Sequence, residues 1–420
     1  MSRRVAPSEL DFSSLLPLGV QGQSRMRTFA PNNGNTFTAV NNVINIPLNS
    51  TGWLDSQHSY LNFNVALVGA GNLGFDGSTQ SLIQTLRLIG SNGEVLEEIQ
   101  NYNTVQAAFQ DLQCSQNHTD SHLNAMERAT TTTGVPTVTA AGNYDVSLKL
   151  MSALLNSGKY CPLGWLSGGG LSVELTLATN ADCLTQTLPN NDATYSITNV
   201  RYAAQIVETS QDFNEAFTQM LQQQGGVQWH GVTPRVFNAN FAGGTTETTV
   251  SVACRLKSIK SLFTILRPNN QFSINEATQC QRSLLGLNSY SVKVGSKTFP
   301  QAPLTKGTEF YAELVKSMMP LGDTRSANRM NFTRYNAAVY TDALAAGTVT
   351  QGFAGLDYET YAQSSGILES GIDTSSLALP ITVEMKFAAA TPAGNIRCTH
   401  VALCDCIFTL DAAGILSVST

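Results

Sequence analysis

Three residues in the first half of the chain have the spacing of metal ligands. Cys114, His118 and His122 would share one face of a helix, because residues four apart lie above one another on a helical surface. A thiolate and two imidazoles are ligands that zinc prefers. However, the intervening residues, such as Asn117, are poor helix formers, and no glutamate stands where a zinc hydrolase places its base. The sequence therefore predicts no metal site here.

A second group of cysteine and histidine residues lies near the C-terminus. Cys398, His400, Cys404 and Cys406 all have even numbers, so they would lie on one face of a strand. At about 3.3 Å per residue the group spans roughly 26 Å, too far for a single metal ion. We expect these side chains in the core or between strands.

A glycine pattern after a strand-like run matches the dinucleotide-binding fingerprint. Gly69, Gly71 and Gly74 have the required spacing, but the fingerprint needs its third glycine to open a helix that holds a pyrophosphate. Here a β run and a hairpin follow, and the acidic residue about twenty positions on, Glu94, falls beside the hairpin turn. We expect a plain turn and no cofactor.

Other candidate groups also lack a catalytic context. Two carboxylate pairs, Glu97–Glu98 and Asp357/Glu359, are expected to be solvated on exposed turns. The sequence contains no Gly-x-Ser-x-Gly elbow and no Gly-x4-Gly-Lys-Ser/Thr loop. The five histidines have no evident catalytic partners: His58, His118, His122, His230 and His400. The sequence thus predicts no enzyme, no catalytic, cofactor or metal residues, and no small-molecule substrate.

The elements that position these residues are mainly strands, and their order repeats. In residues 171–177 apolar side chains alternate with polar ones, as on a strand with one face in a core. The same alternation returns in residues 381–387. Three further matches occur at about half the chain length: residues 195–207 with 399–410, 81–89 with 283–294, and the helical runs 101–113 with 306–318. The sequence predicts one β-rich unit used twice.

The predicted boundaries follow from turn and capping signals. Residues 1–34 contain prolines and glycines and are expected to form an irregular arm, residues 35–209 the first unit, and residues 227–420 the second. Residues 210–226 read as a connecting helix, with Ser210 as N-cap and Gly225 as its stop. Asn92-Gly93 predicts a hairpin. Residues 114–143 and 320–378 are expected to form long exposed loops.

Composition agrees with a β-protein that carries few charges. Charged residues are 13% of the 420, about half the roughly 25% of an average soluble protein. The net charge of −6 argues against duplex binding, which needs a basic face. Eight scattered cysteines and no evident signal peptide predict reduced thiols in a cytosolic product. Extensive self-association and a β-protein with uncharged loops both fit this composition.

Three segments together with the repeat resemble one family. They are GSTQSLIQTLRLIGSNGEVLE (77–97), LKLMSALLNSGKYCPL (148–163) followed by GGLSVELTL (169–177), and GIDTSS (371–376) before the penultimate strand. These segments resemble the double jelly-roll major capsid proteins of polinton-like viruses, adintoviruses and virophages, in the tectivirus and adenovirus lineage. The resemblance implies a mainly β fold of two tandem eight-stranded antiparallel jelly rolls with a few short helices.

The resemblance also implies a structural role in the virion. Three chains would form a homotrimer of pseudo-hexagonal outline, and many trimers would tile an icosahedral shell in the host cytoplasm or nucleus. Neighbouring capsomers and penton or minor capsid proteins would be the partners. The arm, with Arg3, Arg4, Arg25 and Arg27, would face neighbours or the interior, where genome or membrane lies.

Two other classes are weighed against this one. A receptor- or carbohydrate-binding β-sandwich, such as a spike or minor capsid protein, would need an aromatic platform, for which Trp53, Trp165 and Trp229 are the tryptophans present. A bicupin-like enzyme would need histidine and glutamate ligands at matching strands of both halves, and the histidines are not so placed.

Overall fold

The chain folds mainly into antiparallel strands, as seen in a computed structural model. The structure describes residues 19–129, 141–187, 189–268, 274–275, 282–305, 307–321, 330, 335, 351–361, 370–376 and 380–420. Within them the strands of the first half are β1 (Gly22–Phe29), β2 (Thr36–Thr38), β3 (Val43–Leu48), β4 (Trp53–Val68), β5 (Leu73–Phe75), β6 (Ile83–Ile89), β7 (Val95–Gln100), β8 (Gly142–Leu148), β9 (Leu171–Leu177), β10 (Leu184–Gln186) and β11 (Thr194–Thr209).

The second half follows the same plan with fewer short strands. Its strands are β12 (Gly226–Ala242), β13 (Glu247–Val252), β14 (Ile259–Pro268), β15 (Leu287–Val294), β16 (Lys297–Leu304), β17 (Ala354–Asp357), β18 (Ile381–Phe387), β19 (Asn395–Asp411) and β20 (Leu416–Ser419). The α-helices are α1 (Tyr102–Gln113), α2 (Gln116–His118), α3 (Asn124–Glu127), α4 (Asn180–Cys183), α5 (Gln211–Gln224) and α6 (Gly307–Ser317). A π-helical turn, Thr119–Leu123, joins α2 to α3, and 3-10 turns span Thr79–Leu82, Leu163–Trp165 and Met319–Leu321.

Sheet order defines the architecture of each half. The first half has a five-stranded sheet in the order β1-β11-β4-β8, with β2 also paired to β11, and a four-stranded sheet in the order β3-β9-β6-β7. The second half has a five-stranded sheet in the order β12-β19-β14-β17, with β20 also paired to β19, and a four-stranded sheet in the order β13-β18-β15-β16. All of these neighbours pair antiparallel. When the eight principal strands of each half are numbered in chain order, both halves read 1-8-3-6 and 2-7-4-5. Two Greek keys closed into a pair of sheets form a jelly roll, so the chain is two jelly rolls in tandem.

The four sequence matches correspond to equivalent elements of the two rolls. The strands β9 and β18 occupy the same place, as do β11 and β19, and β6 and β15. The helices α1 and α6 each follow the fifth principal strand of their roll. The predicted fold class, mainly β with two tandem jelly rolls and a few short helices, is therefore confirmed.

The two hydrophobic cores exchange elements across the junction between the rolls. The apolar face of α1 belongs to the second core, with Val105, Phe109 and Leu112 fully buried there. In return, Phe408 at the end of β19 and Leu416 of β20 are buried in the first core. Each roll thus completes its core with side chains from the other.

Three predictions of irregular structure need correction. Gly22–Phe29, placed in the irregular arm, is strand β1, which pairs along its whole length with β11. Most of its side chains are exposed, so the segment shows no alternation of apolar and polar residues from which a strand could be predicted. Residues 116–127 of the expected first loop are helical, and β17 lies inside the expected second loop. Residues 1–18 and 130–140 lie outside the described part of the chain.

The connecting helix α5 lies where the sequence predicted it, although the Ser210 side chain makes no capping hydrogen bond. It follows Ser210 and ends at Gly225, whose positive φ of 73° places it in the left-handed region that glycine adopts without strain. Its Phe217 packs against Trp53 and Trp165 with ring centroids 4.7 and 5.0 Å away. The helix is therefore fixed on the first roll. Within the described residues, no helix has the length and apolarity that crossing a membrane requires.

Candidate functional site

Of the first cysteine–histidine set, only His118 and His122 lie on a helical segment, contrary to the loop prediction. The rings of His118 and His122 are exposed and stack with their centroids 5.1 Å apart. The described residues nevertheless contain no group of three or more histidine, cysteine, aspartate or glutamate side chains that could hold a metal ion. Cys114 has an extended backbone that ends α1, with φ of −111° and ψ of 132°, so it does not share a helix face with the two histidines.

The C-terminal set lies where the sequence placed it, on one buried face of β19. Cys398 and Cys404 belong to the second core, whereas Cys406 belongs to the first. His400 shares a 3.0 Å hydrogen bond with the Thr264 hydroxyl through Nδ1. Burial lowers the pKa of His400 to about 4, so its imidazole is neutral at physiological pH.

Six of the described cysteines are buried and form no disulfide: Cys161, Cys183, Cys254, Cys398, Cys404 and Cys406. Burial raises the pKa of Cys161, Cys398 and Cys404 to about 12 in each case. A thiol with so high a pKa supplies almost no thiolate at neutral pH, which is the reactive form. These cysteines therefore act as small core side chains.

The glycine pattern at residues 69–74 forms a turn, as expected. Gly71 has φ of 72°, and the residues that follow form β5, which pairs with β10 instead of starting a helix. A strand offers no row of free amide groups toward a pyrophosphate. The pattern therefore has no phosphate-binding geometry.

The first carboxylate pair was wrongly predicted to be solvated. Glu97 is 1% exposed and lies on β7. It accepts hydrogen bonds from the Ser152 hydroxyl at 2.5 Å, the Ala153 amide at 2.8 Å and the Thr233 hydroxyl of β12 at 2.7 Å. Only its neighbour Glu98 lies near the surface, paired with Arg87 at 3.2 Å. Glu97 therefore joins the first roll to the second.

The second carboxylate pair is also buried. The Lys260 ammonium lies 3.1 Å from Glu359 and 3.2 Å from Asp405, and all three side chains are less than a tenth exposed. Burial raises the pKa of nearby Asp357, which lies 3.9 Å from the Lys316 ammonium. These charges are paired within the second roll and are not arranged around a cleft.

A second polar bridge between the rolls was missed by sequence reasoning. Asp111 on α1 forms an ion pair with Arg282, and both side chains are fully buried. The Gln351 amide also donates to Asp111, at 3.1 Å, and the Arg282 guanidinium lies 5.5 Å from the centre of the Phe353 ring. Because Asp111 belongs to the first half and its partners to the second, the pair fixes α1 in the second roll.

Sequence signals for these residues existed but were not specific. Glu97 shares a strand face with buried Ile99, since side chains two apart point the same way. Asp111 follows Ala108 by three residues, on the buried side of α1. Both positions could have been suspected of burial. Their partners, far away in sequence, could not have been identified.

A groove of about 580 Å³ runs between the rolls on the same side as these bridges. Its walls come from α1, the helical segment that ends at Glu127, the loop after β8, and β12. Two buried polar atoms of its lining, Gln110 Nε2 and Glu127 Oε2, have no hydrogen-bond partner among the described residues.

Together these observations define a tandem jelly-roll protein whose buried polar groups hold two rolls together and form no catalytic set in the described chain. No protein-family model matches the sequence, and no curated protein matches it. Solved structures do match. A chain of the PBCV-1 virus capsid gives a TM-score of 0.62 at 10% identity, covering 97% of this chain and 99% of that one.

Two further matches span nearly the whole of both chains. The major capsid protein of mavirus gives a TM-score of 0.57 at 9% identity, covering 100% of this chain and 95% of that one. A chain of the Sputnik virophage gives 0.59 at 11% identity, covering 100% and 93%. The chain has the double jelly-roll fold of these viral proteins.

Proposed function

We propose that this protein is the major capsid protein of a virus and acts as a structural, non-enzymatic subunit of the virion. The observation that carries the proposal is the double jelly roll itself: one sheet order occurs twice, and the likeness to viral capsid chains extends over at least 97% of this chain. The division into an N-terminal arm at residues 1–34, a first roll at 35–209, a linker at 210–226 and a second roll at 227–420 is part of this proposal, with β1 of the arm adding a strand to the first roll.

Two similar rolls per chain give a physical reason for the assembly. Three copies around a threefold axis would present six similar sides, a pseudo-hexagonal outline that tiles a surface. Such trimers would form an icosahedral shell, with neighbouring capsomers and penton or minor capsid proteins as further partners. The N-terminal residues would face a neighbour, the genome or a membrane. Arg25 and Arg27 are less free for this role, because they contact Glu208 and Ser50 of their own chain.

Mass and shape in solution test this proposal. The purified full chain is expected to elute in light-scattering chromatography with three times the 45.0 kDa chain mass. Negative-stain images should then show particles with a six-sided outline. A monomer under every assembly condition tried would contradict the proposal. If the second roll of each chain lay elsewhere in the particle, the outline would not have six sides. That outline would contradict the tiling.

The two rival classes have weaker support. A carbohydrate-binding surface would need exposed aromatic rings, yet Trp53 and Trp165 pack against each other at 4.7 Å and Trp229 packs on Phe408 at 6.0 Å. A bicupin-like enzyme would need a metal-binding cluster, and the described residues provide none. Glycan-array binding or a stoichiometric transition metal in the purified protein would revive one of these classes.

A further inference from the structure

The helical segment 116–129 lies against the first roll, where Glu127 makes buried hydrogen bonds and Arg128 packs over the Tyr144 ring. The Thr79 hydroxyl donates to the Glu127 main-chain carbonyl at 2.8 Å, and the Gln80 amide donates to its carboxyl oxygen Oε1 at 3.1 Å. The main-chain amide of Lys149 also donates to the carboxyl. Glu127 is 4% exposed, although it lies near the end of a segment whose His118 and His122 are in solvent.

The fastening belongs to a buried hydrogen-bond chain that crosses to the second roll. Gln80 accepts from the Tyr102 hydroxyl at 3.1 Å, and this hydroxyl accepts from the Met151 amide at 2.9 Å. The same loop contains Ser152, whose hydroxyl donates to the Glu97 carboxylate. The Thr233 hydroxyl of β12 donates to this carboxylate as well. The position of the segment is therefore coupled to the junction between the rolls.

The second carboxyl oxygen of Glu127 has no compensating contact. Oε2 is buried in the groove without a hydrogen-bond partner, and no cation in the described chain forms an ion pair with this carboxyl. An ionised carboxylate in this position would lack both water and a counter-charge, which is costly. Protonation removes the uncompensated buried charge, and Oε1 still accepts the Gln80 bond.

We propose that the segment 116–129 is a proton-dependent flap, docked on the first roll while the Glu127 carboxyl is protonated and released when the carboxyl loses its proton. Release widens the groove between the rolls, because Leu123 and Glu127 form part of its wall. The inference rests on these contacts and not on the capsid proposal.

The electrostatic surroundings favour switching near neutral pH. Burial raises the pKa of Glu127 to about 7, although the hydrogen bonds from Gln80 and Lys149 partly oppose this. The titratable and charged groups around it are the Tyr102 hydroxyl on α1, Cys114 after α1, Glu97 on β7, Lys149 after β8, His230 on β12 and Arg128 on the segment itself. The guanidinium of Arg128 lies instead over the Tyr144 ring, 5.5 Å from its centre.

The sign of the pH effect follows from the two protonation states. A released carboxyl has the ordinary pKa of 4.5 and the docked one about 7, so docking binds a proton between these values. The equilibrium constant for release therefore rises between pH 4.5 and 7 and levels off above 7. Between pH 5.5 and 8.5 the expected increase is roughly 30-fold.

Hydrogen exchange on the full chain tests the flap. Peptides that cover residues 116–129 are compared at several pH values from 5 to 9, after correction for intrinsic exchange, with peptides from β6 and β9 as internal reference. The wild type is expected to show the roughly 30-fold rise between pH 5.5 and 8.5, with a plateau at higher pH. In Glu127→Gln, which keeps the shape of the protonated carboxyl, protection should be high at every pH.

A matched substitution distinguishes Glu127 from other acids of the segment. Asp120→Asn removes a carboxylate on the π-helical turn and should leave the wild-type pH profile unchanged. A wild-type segment whose protection does not vary with pH would overturn the proposal. The proposal would also be overturned if Glu127→Gln kept the wild-type pH dependence, or if Asp120→Asn abolished it. If Glu127→Gln does not fold, the pH dependence of hydrogen exchange in the wild-type segment still tests the proposal.

Discussion

At the scale of single residues, Glu97 and Glu98 show how little the residue type says about its role. They are adjacent on β7, yet Glu98 pairs with Arg87 near the surface while Glu97 accepts three close hydrogen bonds in the interior. A strand turns successive side chains to opposite faces, so one of two neighbours is directed into the junction. The buried glutamate is a structural bridge.

We expect Glu97→Ala to lower the free energy of unfolding by about 3 kcal/mol or more, because the donors of Ser152, Ala153 and Thr233 would be left buried without an acceptor. Glu98→Ala is the matched control and should cost less than about 1 kcal/mol, since its ion pair is partly exposed. Urea unfolding of the two variants measures the difference. Equal losses would show that Glu97 does not bridge the rolls.

At the scale of elements, α1 is the clearest case of exchange between the halves. It follows β7 in the first roll, but its apolar face packs in the second core, where Phe109 meets Phe263 of β14 with ring centroids 5.4 Å apart. The buried ion pair between Asp111 and Arg282 also holds this helix in the second roll. The helix therefore acts as a tie between the rolls.

We expect Phe109→Ala to destabilise the protein by about 3–5 kcal/mol through the cavity it leaves. The loss of hydrogen-exchange protection should be greatest in β14 of the second roll, although the mutated residue belongs to the first half. Gln106→Ala, on the half-buried side of the same helix, is the control and should change stability by less than about 0.5 kcal/mol. Loss of protection confined to β6 and β9 would contradict the exchange.

At the scale of the whole molecule, core exchange should make two rolls behave as one folding unit. The C-terminal strand β20 and the end of β19 complete the first core, so neither roll retains its full core without the other. Two-state unfolding is most common below about 150 residues, which makes cooperativity in a chain of this size informative.

We expect calorimetry to show a single unfolding transition whose calorimetric and van't Hoff enthalpies agree. The measurement should be made at two protein concentrations, so that dissociation of an oligomer is not mistaken for unfolding of a roll. Two resolved transitions that persist at both concentrations would mean that the rolls fold independently and that the exchanged side chains contribute little.

Much of this architecture could be predicted from the sequence because it depends on local patterns. The alternation in Leu171–Leu177 and Ile381–Phe387, the Asn92-Gly93 hairpin and the Gly225 stop each reflect backbone geometry within a few residues. Their recurrence in the same order predicted one β-rich unit used twice, and the resemblance to double jelly-roll capsid proteins implied that this unit is a jelly roll. The apolar face of α1 could be read in the same way.

Only the tertiary structure decided which distant groups meet. Pairing with β11 makes β1 a strand despite its exposed side chains, and burial against the other roll turns Glu97 and Asp111 into bridges. It also encloses Glu127 beside Gln80, where a carboxyl of ordinary type acquires a near-neutral pKa of about 7. The physical reason is that sequence patterns report which side of an element is buried. Packing across the chain determines what covers that side and what it costs to bury a charge there.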